Sequence, residues 1–332
     1  MDLSLTFNSQ EMNNKVIYAL RAARKIYLRI NKDKVHNATI TDVIDKEAAN
    51  TLITNKILSA APLMVGRLGA VELSCIANYR SIKRGSKPYL KYITYNSEAF
   101  WWDETTMFLM SNNAGFFPSS PEMLERFSEM MIEDMKLVDI LGSWKWQEKL
   151  FKAELSNASK IRLADLEPYN HDYPWSMALR GKKVLVVHPF SESILDQYKK
   201  KDLLFKNKHV LPDFQLSTIK AIQSIANNDT GFKNWFEALD HMKAQVSAAD
   251  FDVAIIGCGA YGFPLAAHVK RLGKQAIHLG GATQTLFGIT GKRWEKDVKH
   301  QRVAQMMNEH WVRPKISETP QGIQSVEGAC YW

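Results

Sequence analysis

The sequence predicts an α/β fold, a mostly parallel sheet flanked by helices, and three observations carry that prediction. Residues 183–187 and 251–256 are runs with the apolar character of strands buried on both faces, unbroken over 184–187 and 253–256. The second run passes directly into Gly257-Cys258-Gly259-Ala260-Tyr261-Gly262, a GxGxxG turn. Beyond it, residues 264–272 read as a helix stopped by Gly273, and residues 275–279 as a third strand ending at Gly280-Gly281. Together these form a βαβ unit of the length found in doubly wound sheets.

The remaining elements follow in chain order. Residues 1–50 are expected to form an N-terminal helical segment, in which Val16, Leu20, Ala23, Tyr27 and Ile30 step by four and three along one stripe and basic residues occupy the other faces. Such a helix either packs on the core or lies on an anionic membrane surface. Residues 61–65 form an apolar run that ends at Gly66-Arg67-Leu68-Gly69, and a helical stretch follows, so this segment reads as strand, glycine turn and helix. Residues 116–121 read as a loop and 122–138 as a helix with proline in its first turn. A strand at 160–163 leads to Asp165-Leu166-Glu167-Pro168, and 168–175 is a proline- and aromatic-rich connector. The boundaries expected are one domain over 51–310 and an irregular tail over 311–332.

Composition narrows the class. The chain has 332 residues, enough for a core that needs no covalent staple, and its three cysteines show no metal-ligand spacing. No apolar run approaches the ~18 residues of a membrane span, and the opening is polar, so a soluble, cytoplasmic protein is expected. A balance of 43 basic to 35 acidic residues favours acidic partners. Nucleic acid is not expected among them, because zinc-finger spacing, basic-region heptads and aromatic ribonucleoprotein motifs are all missing.

The chemistry concentrates at strand ends. In the GxGxxG turn the glycines permit a close backbone approach, and the following helix offers free N–H groups to a diphosphate, which makes Gly257, Gly259, Ala260, Tyr261 and Gly262 the first binding candidates. The competing reading is a tight turn that needs glycine for backbone reasons alone. A dinucleotide cofactor calls for an acid at the end of the next strand. That strand ends at His278-Leu279-Gly280-Gly281 instead, which counts against a dehydrogenase. Asp165 and Glu167, on an extended chain, would point the same way and could bridge a divalent Mn or Mg ion to a diphosphate; carboxylates that are only solvated or cap the following turn are the alternative. His188, at the end of the 183–187 run, is a candidate acid, base or phosphate contact, with Glu192 beyond it; a structural histidine is the alternative. Lys292 and Arg293 suit a phosphate-covering segment or a solvated face. Trp101, Trp102, Trp144 and Trp146 suit sugar stacking or core packing.

Gly66-Arg67-Leu68-Gly69-Ala70-Val71-Glu72 resembles the Arg-x-Gly-x-x-Glu segment of the GT-D glycosyltransferases, a Rossmann-like bacterial group. Residues 252–281 resemble the same group's nucleotide-binding half. The resemblance implies transfer of a hexose from a nucleoside-diphosphate sugar, UDP-linked in the simplest case, to a surface polysaccharide such as capsule or O-antigen, to a glycoprotein glycan, or to a lipid-linked glycan. It carries Arg67, Gly69 and Glu72 over as site residues and extends to Gly280 and Gly281. Ala70 stands where the group has an Asp, so the group's metal-associated Asp-x-Glu pair is broken. Glu72 is then a candidate base toward the acceptor, a sugar-hydroxyl partner or a helix-terminal acid, and Arg67 a clamp for the diphosphate or a partner of Glu72. The rival readings are a methyltransferase or oxidoreductase using the same turn, and a nucleotide-sugar-binding protein without catalysis.

Overall fold

The computed structural model describes residues 13–36, 39–296 and 301–332. Its centre is a seven-stranded sheet, parallel throughout, of β1 (Leu63–Gly66), β2 (Ile140–Ser143), β3 (Ser159–Arg162), β4 (Lys183–His188), β5 (Gln215–Lys220), β6 (Val253–Ile256) and β7 (Gln275–His278), in the order β3-β2-β1-β7-β6-β4-β5. The expected α/β, Rossmann-like architecture is thus the one observed.

Side chains along the inner strands alternate between two cores. Met64, Leu141, Leu185, Val187, Ala254, Ile256 and Ala276 enter one, and Leu63, Val65, Ile140, Val184, Val186, Val253, Ile255 and Ile277 enter the other. This is the two-residue period of a pleated strand, and burial on both faces explains why the sequence runs apolar without interruption. The first core is closed by the helices Ala70–Lys83, Pro121–Met135, Trp235–Ala248 and Gly262–Arg271, and the second by Lys46–Leu58, Ser191–Tyr198 and the short turns between 163 and 179. Steps along the sheet toward β3 use the first face and steps toward β5 use the second, as crossovers of one hand must.

Local signals set the helix ends. Ser120 accepts from the Met123 amide ahead of Pro121, Asp45 from Ala48, and Asn234 from Phe236 and Glu237. Gly273, at φ +78°, ends the Gly262–Arg271 helix in the conformation glycine adopts most readily.

The N-terminal helix, Asn14–Ile30, corrects the expected stripe. Leu20 is buried, but so is Arg24, whereas Val16 and Ile30 are exposed. Arg24 Nη1 donates to the carbonyls of Tyr92 (2.8 Å) and Ser97 (2.9 Å), and Nη2 pairs with Glu98 at 2.7 Å. The tyrosines at 92 and 95 flank its guanidinium, 4.4 and 4.0 Å from their ring centroids. A saturated, stacked guanidinium can be buried, and it draws the docking face away from the purely apolar stripe. Residues 1–12 of the expected helical segment lie outside the described residues. Residues 311–332 carry 3-10 turns at Ile316–Glu318 and Ile323–Ser325, and Trp311, Val326, Ala329 and Trp332 are buried.

Beneath the GxGxxG turn sits an aromatic cluster. The Tyr261 ring stacks on Trp235 with centroids 4.8 Å apart and planes 9° from parallel, and Trp235 packs in turn on Phe116, Phe127 and Phe236. Trp235→Ala should therefore lower the unfolding free energy by about 4 kcal/mol, the cost of truncating a large buried aromatic. Urea titration measures it, and a loss below about 1 kcal/mol would mean that the turn is supported from elsewhere.

Candidate functional site

Neighbouring strands at the centre of the sheet send their chains to opposite faces. The segments after β4 and β7 place Ile194 and Leu286 in the second core, while those after β6 and β1 place Leu265 and Leu73 in the first. The backbone parts between them, and ligands of open α/β sheets bind in such crevices at the carboxyl edge. Here the crevice is a cavity of about 490 Å³, and residues following the carboxyl end of every one of the seven strands contribute to it.

Each glycine of the turn has a distinct local reason. A Cβ on Gly257 would lie 2.6 Å from the Gly280 carbonyl oxygen, so the loops after β6 and β7 touch there through backbone. Gly259 has φ +55° and open space above it, which leaves its main chain accessible from the cavity. Gly262 is outside the cavity lining; a Cβ there would meet the His278 ring 2.5 Å away, so it serves the packing of helix on strand. The first turn bonds run from Tyr261 N to Cys258 O and from Gly262 N to Gly259 O. The amides of Gly259 and Ala260 precede them, and N–H groups at this end of a helix have no intrahelical acceptor. Tyr261 also borders the cavity, but its hydroxyl is engaged with Ser224 at 2.9 Å and its ring belongs to the aromatic cluster.

The β1 loop brings Arg67, Gly69 and Glu72 to the same cavity. Arg67 Nε is buried without a hydrogen-bond partner, Nη2 reaches only the Leu68 carbonyl at 3.5 Å, and no ion pair involves this residue among the described residues. The guanidinium lies 4.7 Å from the Trp144 ring, whose Nε1 donates to Leu68 O at 2.9 Å. A Cβ on Gly280, which has φ +61°, would come within 3.3 Å of Arg67 Nη1, so the β7 loop gives way to the arginine. Burial pushes the Arg67 pKa down, with Tyr331 and Glu72 opposing, though a guanidinium remains charged. Arg67 is accordingly a cation fixed in a low-dielectric wall without a salt-bridge partner, a position that a bound anion would compensate.

Glu72 occupies the third position of the Ala70–Lys83 helix, and its carboxylate folds back over Gly69, where a Cβ would collide with it. Burial raises its pKa, opposed by its own backbone N–H and by Arg67. Glu167 also borders the cavity, its pKa raised by burial against hydrogen bonds from Tyr169 and Asn170. Asp165 does not join it. Residues Leu163–Leu166 form a 3-10 turn instead of an extended strand, which breaks the two-residue alternation and turns the buried Asp165 carboxylate to Arg162, at 2.8 and 3.1 Å. The expected Asp165/Glu167 pair is therefore not assembled. The Arg67 charge opposes the rise in pKa of both Glu72 and Glu167 without forming an ion pair with either, and among the described residues no group of three or more His, Cys, Asp or Glu forms a metal cradle.

His188 and the β7 residue His278 both border the cavity, and burial drops each to about 3. His188 Nδ1 accepts from the Phe190 amide at 3.0 Å, which leaves the ring proton on Nε2. At neutral pH it is a donor, not a ready base. Glu192 stays outside the cavity lining, with its carboxylate near Lys220 and Lys315. Of the four tryptophans singled out, only Trp144 lines the cavity.

One wall comes from the chain's last residues, which the sequence offered no periodic signal to place. Glu327, Tyr331 and Trp332 line the cavity with Arg293, whose Nη1 donates to Tyr331 Oη at 2.7 Å and whose Nη2 pairs with Glu327. Unlike Arg67, Arg293 is compensated within the protein.

For both histidines the folded pKa, about 3, lies below the unfolded 6.5, so between these values the unfolded chain binds more protons. Their contribution to stability is whole above pH 6.5 and is lost as pH falls toward 3. His188→Gln should flatten the fall in urea midpoint over that window, and an unchanged slope would place the titration elsewhere. Comparison with known proteins yields no relative: no family model, no curated protein and no solved structure matches the chain.

Proposed function

We propose that this chain is a cytoplasmic glycosyltransferase that moves a hexose from a nucleoside-diphosphate sugar, expected to be UDP-linked, to a glycan or lipid-linked glycan acceptor. The observation that carries the reading is Arg67: a buried guanidinium without a salt-bridge partner, on the wall of a cavity that also receives the Gly257–Gly262 turn. Sugar transfer develops negative charge on the leaving diphosphate, and a fixed cation beside free helix-terminal amides is preorganised for that charge. Trp144 offers an aromatic face next to Arg67 for a base or sugar. Glu72 is the proposed acceptor-side group, since a carboxyl held above its ordinary pKa is better matched to taking a proton near neutrality. A second reading, a nucleotide-sugar-binding protein without transfer, draws on the Glu72 carboxylate folded over its own helix terminus.

Calorimetry with UDP, NAD and S-adenosylmethionine separates the nucleotide classes, and UDP is expected to bind selectively. Arg67→Met should weaken UDP binding by about 2 kcal/mol, about thirtyfold, while leaving the melting temperature equal or higher, because a buried charge without a partner is removed from the apo protein. Retained affinity in that variant would remove Arg67 from the diphosphate site. Gly259→Val should also lose UDP affinity by more than the ~1–2 kcal/mol that the backbone strain costs in stability.

With Ala70 in the group's acid position and Asp165 turned to Arg162, transfer should survive EDTA. Loss of transfer on chelation and its return with Mn²⁺ would contradict the cation role given to Arg67. Donor turnover that is equal in wild type and Glu72→Gln would favour the binding-protein reading.

A further inference from the structure

Two stretches of chain that pack together on the surface contain no acidic residue. Residues 13–32 and 81–97 hold ten of the chain's 43 basic residues and none of its 35 acidic ones. They are joined by Arg24, which bonds the Tyr92 and Ser97 carbonyls, and by the small core of Leu20, Tyr92 and Ala99. Some of the basic charge is used internally: Arg21 pairs with Asp103 at 2.6 Å and Arg24 with Glu98 at 2.7 Å. On the outward side Lys15, Lys25, Arg29, Arg84, Lys87 and Lys91 are all exposed.

Aliphatic and aromatic side chains are set among these cations. Ile30 is 78% exposed, Leu90 73%, Tyr18 68% and Ile26 57%, and the burial of Arg24 is what turns Ile26 and Ile30 outward. We infer that this face is a docking surface for an anionic lipid bilayer. Basic residues alone would suit any polyanion, but exposed isoleucine and leucine gain nothing from a sugar-phosphate chain or an acidic glycan. They do gain from entering the boundary between headgroups and acyl chains, while the lysine and arginine stems span to the phosphates. Among the described residues no helix is long and apolar enough to cross a membrane, so the contact is peripheral. The inference does not depend on sugar transfer: a chain that binds such a bilayer and fails to bind UDP would leave it standing.

The test is co-sedimentation of the full chain with vesicles of pure phosphatidylcholine and of phosphatidylcholine mixed with phosphatidylglycerol. Binding is expected only to the anionic vesicles and should weaken steeply with salt. Lys25→Glu/Arg29→Glu should reduce it by about twenty-five-fold or more, since each basic residue near such a surface contributes about a factor of five. Ile26→Ser/Ile30→Ser should reduce it severalfold without removing the salt dependence. Unchanged urea midpoints in both double variants show that the fold is intact. No binding to anionic vesicles, or equal binding by the charge-reversed variant, overturns the inference. So does a response confined to the charge variant and matched on heparin, which would make the face a general polyanion site.

Discussion

Every strand of the sheet runs the same way, so the chain can return to the sheet only by crossing over one of its faces, and the hand of that crossing is fixed. Strand order therefore decides which face each connection covers. With β4 beside β6 and β7 beside β1, connections on opposite faces begin from adjacent strands, and the crevice between them is a topological necessity. The two cores, the apolar character of the inner strands and the gathering of Arg67, Gly257, Gly280 and His188 in one cavity all follow from it.

Within that cavity the two arginines differ in a way that charge counting does not reveal. Arg293 is matched by Glu327 and Tyr331, so it ties the tail to the body of the protein. Among the described residues Arg67 has no ion-pair partner, and it is held by an indole and by backbone. Folding a chain around such a group costs free energy that packing elsewhere must offset, and natural proteins tend to hold such strain where a ligand relieves it.

The parts of the fold legible in the sequence were those in which a single period dominates. The stretches 184–187 and 253–256 within the runs at 183–187 and 251–256 are buried on both faces and wholly apolar, and they lie in β4 and β6. β5 lacks a strand signal because it is an edge strand whose half-buried Leu216 and Ile219 stand three apart among polar residues, and β2 because its apolar Ile140-Leu141 pair is followed at once by Gly142-Ser143. The first stripe was misjudged at Arg24, since a hydropathy pattern cannot tell a cation in water from one saturated by two carbonyls and a carboxylate. The same-side placement of Asp165 and Glu167 needs extended backbone, and the chain coils there. The cavity wall from the tail had no signal: Glu327, Tyr331 and Trp332 are fixed by long-range contacts that no local pattern encodes.

That wall has a consequence for how the chain matures. The cavity draws on residues as far apart as Arg67 and Trp332, so its enclosure is among the contacts of highest sequence separation in the molecule. Loop-closure entropy delays such contacts relative to those between neighbours in sequence. Before they form, the Arg67 guanidinium and the glycine turn lack one wall of their enclosure. Enclosure of the cavity thus depends on residues 326–332 meeting residues 67–72, and a molecule that binds only the enclosed form would stabilise those contacts.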